Sequence, residues 1–99
     1  MKILAMERET PGARAEDFLP HLKEEASCLW GLVQAGLVRE TYFRADQHTA
    51  ILVLEVPSVE EARVLLSRLP LVSAGLIGFE LIPLIPYDGF SRLFSKETP

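Results

Sequence analysis

The 99-residue sequence is short of cysteine, histidine and basic charge, and each shortage removes a class of function. A single thiol, Cys28, cannot close an intrachain disulfide, so a reducing cytoplasm is the expected setting. The opening MKILAMERET also turns charged too soon for a secretory signal. Two histidines and one cysteine without ligand spacing give no expectation of a metal centre. GxGxxG, P-loop and GxSxG stretches are missing, so nucleotide cofactors and that hydrolase class lose their usual support. Ten basic residues against fourteen acidic ones leave a net charge of −4 and a pI near 5.1. Nucleic acid and anionic membranes, which are drawn to basic patches, are therefore not expected partners.

Apolar residues are abundant, at 48% of the chain, and one stretch concentrates them: RLPLVSAGLIGFELIPLIPYDGF, residues 68 to 90. A bilayer-spanning helix needs about 20 predominantly apolar residues. Pro70, Pro83 and Pro86 interrupt this stretch, Glu80 lies near its middle, and Gly75 and Gly78 weaken any helix. A strand suits it better. Leu76 to Ile82 places branched or aromatic side chains on both alternating faces, as a strand covered on both sides does.

The remaining elements follow from periodicity and punctuation. Lys2 to Arg8 reads as a strand, and Thr10-Pro11-Gly12 as a turn. A helix is expected from Ala15 to Ala35, with Gly36 as its stop. At about 100° per residue, Phe18, Leu22, Ala26, Leu29, Trp30 and Val33 share an arc expected to pack on the core. Leu37 to Arg44 reads as a strand, residues 45 to 48 as a hairpin, and Thr49 to Val56 as the next strand. Ser58 with Glu61 signals a capped helix through Arg68, stopped by Pro70. Tyr87, Phe90 and Phe94 in the tail are spaced to share a face if helical.

Strand, helix, strand thus occurs twice, with an internal echo: LVQAGLV at 32 to 38 and LVSAGLI at 71 to 77. The expected fold is α+β, a ferredoxin-like βαββαβ chain with a four-stranded antiparallel sheet over residues 1 to 86, and a tail from 87 to 99. In that topology the first and third strands are central. Pro83, which has no N–H to donate, falls in the fourth strand, an edge. Two small helices cover only one sheet face, yet the third and fourth strands are apolar on both. Burying each large apolar side chain is worth roughly 1.5 to 3 kcal/mol, so a second copy of the chain is the simplest cover, giving a dimeric α+β barrel. The tail is expected to pack on its own domain or on a neighbouring protomer.

Several polar residues could carry chemistry. His21 and Glu25 stand four apart on the first helix, with Glu24 and Cys28 on adjacent rows, as an acid/base pair or as an ordinary solvated surface. Glu25 falls beside Phe18 at the border of the packing arc, where desolvation would raise its pKa. On the second strand, simple alternation groups Arg39 with Leu37, Thr41 and Phe43, and Tyr42 with Val38, Glu40 and Arg44. Arg39 could hold a substrate carboxylate and Tyr42 donate a hydrogen bond, or these charges could simply deter edge pairing. His48, at the hairpin, is either a base at a barrel mouth or a solvated turn residue.

LSRLPLV and FELIPL, residues 66 to 72 and 79 to 84, resemble the end of the muconolactone isomerase family, and GLVRETYFR, residues 36 to 44, resembles its second strand. The resemblance implies a cofactor-independent homodimer or larger homo-oligomer that moves a proton on a small unsaturated lactone or carboxylic acid. It also implies roles for Glu25 and Arg39, and a C-terminal segment that can lie across a neighbour's site. His21, Tyr42 and His48 rest on local reasoning alone. The tail here is aromatic rather than short and polar, and the region after Leu71 is two residues longer than the family pattern. The alternative is a non-catalytic dimeric module that binds a small ligand or serves assembly.

Overall fold

A computed structural model of the chain describes residues 1–94. Four strands, β1 (Lys2–Glu9), β2 (Val38–Phe43), β3 (Ala50–Glu55) and β4 (Ile77–Leu84), form one antiparallel sheet in the order β2-β3-β1-β4. The first and third strands are central, as expected. Pro83 lies in edge strand β4 opposite Ile3. The fold is the ferredoxin-like α+β arrangement.

Four α-helical segments accompany the sheet: α1 (Ala15–Phe18), α2 (Leu22–Gln34), α3 (Val59–Leu66) and α4 (Pro70–Ser73). The single helix expected from Ala15 to Ala35 is broken by a 3-10 turn, Leu19–His21. Pro20 causes the break, because it has no N–H for the i→i−4 bond. Gly36 ends the second piece at φ +77, a conformation that glycine adopts without strain. Ser58 Oγ accepts a 3.2 Å hydrogen bond from Glu61 N and starts α3. Pro70 does more than stop that helix. It occupies the first position of α4, where a missing N–H costs nothing.

The core lies between the helices and the sheet face that carries Ile3, Ala5, Leu52, Leu54 and Ile77. Leu32 is the buried residue of α2, with Cys28, Leu29 and Val33 half-buried around it. The packing arc is therefore rotated from the expected one. Trp30 is 60% exposed, and Leu22 and Ala26 are also exposed. The centre of the true arc falls near Glu25, which places that carboxylate on the inward face rather than at its border.

A second correction concerns β2. Val38 pairs with Leu54, but Glu40 pairs with Val53, so Arg39 is the extra residue of a β-bulge. Val38 consequently shares the inner face with Thr41 and Phe43, not the outer face with Glu40 and Tyr42. Leu4, Met6, Ile51, Val53 and Ile82 stand on the outer face, half-buried. After β4 the chain leaves the body; its extents are 60 × 29 × 21 Å, and Ile85 and Phe94 are 83% and 84% exposed. A 3-10 segment, Gly89–Phe94, replaces the expected helical face, although Tyr87 and Phe90 meet edge to face at 4.7 Å. The last five tail residues, 95–99, lie outside the described residues. Among the described residues, no helix is long and apolar enough to cross a membrane.

Candidate functional site

A cleft of 680 Å³ opens between α1 and α2 and the inner sheet face, a size suited to a small organic ligand. Phe18, Leu22, Ala26 and Leu29 form its helical wall. These residues were expected to fill the core; all four line the cleft, and of them Leu29 also packs against the core. The opposite wall is Phe43, Ala50 and Leu52, with Leu71 of α4 at one end.

Two half-buried carboxylates interrupt this apolar lining. Glu25 reaches from α2, and its Oε1 accepts a 2.9 Å hydrogen bond from Leu71 N. Desolvation raises its pKa above the ordinary 4.5; the Leu71 N–H opposes the shift, Glu7 adds to it, and His21 opposes it. Glu7 comes from β1, and its Oε1 accepts a 3.0 Å bond from Ala50 N. Its pKa is likewise raised, first by desolvation, against the Ala50 N–H. Glu9 reinforces that shift and His48 reduces it. Among the described residues, the second oxygen of each carboxylate has no protein hydrogen-bond donor.

His48 also lines the cleft. The hairpin closes through Arg44 N to Thr49 O, 2.8 Å, and His48 N to Arg44 O, 3.0 Å. His48 sits at φ +49, the only non-glycine residue in that region among the described residues. Its ring stacks on Phe43 with centroids 4.1 Å apart. A left-handed histidine is a strained one, held here by the ring contact and the turn hydrogen bonds.

The other sequence candidates are placed differently. Arg39 is not among the residues lining the cleft; its Nε donates to Gly36 O at 2.6 Å, just before the strand. Tyr42 touches the cleft, yet its hydroxyl donates to Glu40 Oε1 at 2.7 Å, and this bond raises its pKa. His21 is half-buried just before α2 and does not line the cleft, although its charge is felt by Glu25. Thus Glu25 and His48 converge, while Glu25 and Arg39 do not. Sequence reasoning missed Glu7. The signal was present in β1: alternation places Ile3, Ala5 and Glu7 on one face, so Glu7 continues an otherwise buried row. Among the described residues, no group of three or more His, Cys, Asp or Glu side chains is placed to hold a metal ion.

No family model matches the chain, and no curated protein matches it. Solved structures do. Muconolactone isomerase superposes with a TM-score of 0.73 at 20% identity, covering 100% of this chain and 98% of that one. The 5-chloro-2-hydroxyhydroquinone dehydrochlorinase TftG of Burkholderia phenoliruptrix, solved in complex with 2,5-dihydroxybenzoquinone, superposes with a TM-score of 0.66 at 17% identity. That match covers 86% of this chain and 94% of the other. At such identities the likeness is one of fold: the chain has the α+β fold of muconolactone isomerase, in agreement with the resemblance of residues 36 to 44, 66 to 72 and 79 to 84.

Proposed function

We propose that the chain is a cofactor-independent enzyme that moves a proton on a small unsaturated lactone or related carbonyl compound. The observation that carries this reading is the pair of half-buried carboxylates, Glu7 and Glu25, on the wall of an apolar cleft. Burial raises both carboxyls and the charge of Glu7 raises Glu25 further, so in this reading one is ionised while the other keeps its proton, a base beside an acid. The ionised one removes a proton α or γ to the carbonyl. The protonated one returns a proton at the other end of the conjugated system, so the double bond shifts and the net proton count is unchanged. In this reading His48, which lines the same cleft, donates a hydrogen bond to the carbonyl oxygen. A ligand seated against the apolar walls displaces water from its reacting atoms. The activities named for the two fold neighbours, an isomerase and a dehydrochlorinase, support a fold that converts small molecules.

Isomerisation of α-angelica lactone in D2O, followed by proton NMR, tests this. Wild-type protein is expected to shift the double bond and incorporate deuterium, and Glu25→Gln or Glu7→Gln to reduce the rate by about 100-fold or more. Unchanged turnover in a folded Glu25→Gln protein removes Glu25 from the reaction.

A second reading draws on the amide contacts of both carboxylates. With Glu25 on Leu71 N and Glu7 on Ala50 N, the pair could serve as structural caps in a non-catalytic small-ligand carrier. Saturable ligand binding without deuterium exchange would favour it. In either case we infer that two copies pair through the outer sheet face, covering Leu4, Met6, Ile51 and Val53.

A further inference from the structure

We propose that the cleft takes an uncharged ring compound and rejects carboxylates, a substrate class that rests on the site assignment above. No lysine or arginine stands among the described residues that line it, whereas Glu7, Glu9 and Glu25 all do. The arginines of the adjoining segments are engaged elsewhere. Arg8 pairs with Glu80 at 2.9 Å, and the Arg44 guanidinium grips Asp46 through two bonds of 3.0 and 2.7 Å. Arg39, the residue best suited to clamp a carboxylate, is held on the carbonyl of Gly36. The one lining side chain able to carry positive charge is His48, whose charge is felt by Glu7.

An anionic ligand entering this cleft leaves water for apolar walls and meets carboxylates of its own sign, with no fixed cation to offset either effect. An uncharged ring loses little on desolvation and gains the contacts of Phe18, Leu22, Leu29 and Phe43. A hydroxyl on that ring can donate to the free carboxylate oxygens, and a carbonyl can accept from an N–H of the His48 imidazole. Phe43 and His48, stacked on each other, both line the cleft and offer aromatic surface to a planar ring.

Binding of matched probes to the full-length protein decides the point. α-Angelica lactone and the same butenolide ring bearing a carboxymethyl arm are titrated at pH 7.5 by calorimetry or ligand-observed NMR. The neutral lactone is expected to bind at least tenfold more tightly. Thr41→Lys, which adds a cation to the lining, is expected to reverse that order for the carboxymethyl probe. Equal or tighter binding of the carboxymethyl probe by the wild type overturns the inference, and so does failure of both probes to bind. Preference for the neutral lactone without any deuterium exchange upholds the ligand class while sinking the catalytic reading, so the two failures are distinct.

Discussion

Glu25 Oε1 and the backbone N–H of Leu71 lie 2.9 Å apart across 46 residues of sequence, so a carboxylate facing the cleft also holds the first turn of α4. Positioning and reactivity are joined in one side chain. Glu25→Gln retains an acceptor oxygen for Leu71, whereas Glu25→Ala leaves that donor unmade. The alanine variant is expected to be less stable than the glutamine variant by about 1 kcal/mol, since a lost hydrogen bond of this type is worth that much. Urea unfolding of the two variants checks this; identical midpoints would show that α4 does not depend on the contact.

The raised carboxylates also set a pH dependence of stability. Glu7 and Glu25 hold their protons more tightly in the folded chain than their ordinary pKa of 4.5 implies. Their stabilising contribution is complete below about pH 4.5 and is lost as pH rises through the raised values. Glu55 behaves oppositely. Its pKa is lowered by the amino terminus of Met1, 3.0 Å away, so its contribution is present above the ordinary value and lost on acidification. Between pH 4.5 and neutrality, the double variant Glu7→Gln/Glu25→Gln is expected to lose less stability than wild type. A parallel decline in both proteins, followed by urea midpoints, contradicts the assignment.

His48 is expected to show a trade between stability and function. Glycine at this position accepts φ +49 without strain but loses the Phe43 stack, so His48→Gly should unfold within about 1 kcal/mol of wild type. Turnover of the lactone should fall by 10-fold or more. A large loss of stability together with normal turnover would make His48 a structural residue.

Gly36 offers a control outside the cleft. A Cβ at this position meets nothing closer than Arg39 Nε at 4.0 Å, so the penalty of Gly36→Ala is backbone strain at φ +77 alone. The expected loss is about 1 to 2 kcal/mol with ligand binding unchanged. Thermal unfolding with and without α-angelica lactone measures both.

The outer sheet face makes a prediction about assembly. Val53 lies at the middle of β3, opposite Leu4 on one side and Glu40 on the other. Val53→Lys places a charge in the proposed pairing surface and is expected to give monomers by analytical ultracentrifugation while far-UV circular dichroism is retained. A wild-type protein that is already monomeric at micromolar concentration removes the pairing.

The order of elements, the edge position of Pro83, the stop at Gly36 and the cap at Ser58 were all legible in the sequence. Each depends on local rules: a period of two or 3.6, a fixed φ, a missing N–H, a side chain that caps its own helix. Pro20 carried the same kind of signal and accounts for the break in the first helix. The site was legible only in part. Glu25 was singled out and lies on the cleft; Glu7 was overlooked although strand alternation places it on the inner row, and Arg39 was displaced by a bulge that no alternation rule announces.

What tertiary structure alone decided is which apolar residues enclose space and which fill it. Phe18, Leu22, Ala26 and Leu29 satisfy the helical pattern of a packing face, yet they wall a cleft, while Leu32 enters the core and Trp30 faces outward. A cavity wall and a core need the same side chains at the same spacing. For Leu22, Ala26 and Leu29, only the rotation of α2 about its own axis, set by its contacts with β2 and α4, separates the two.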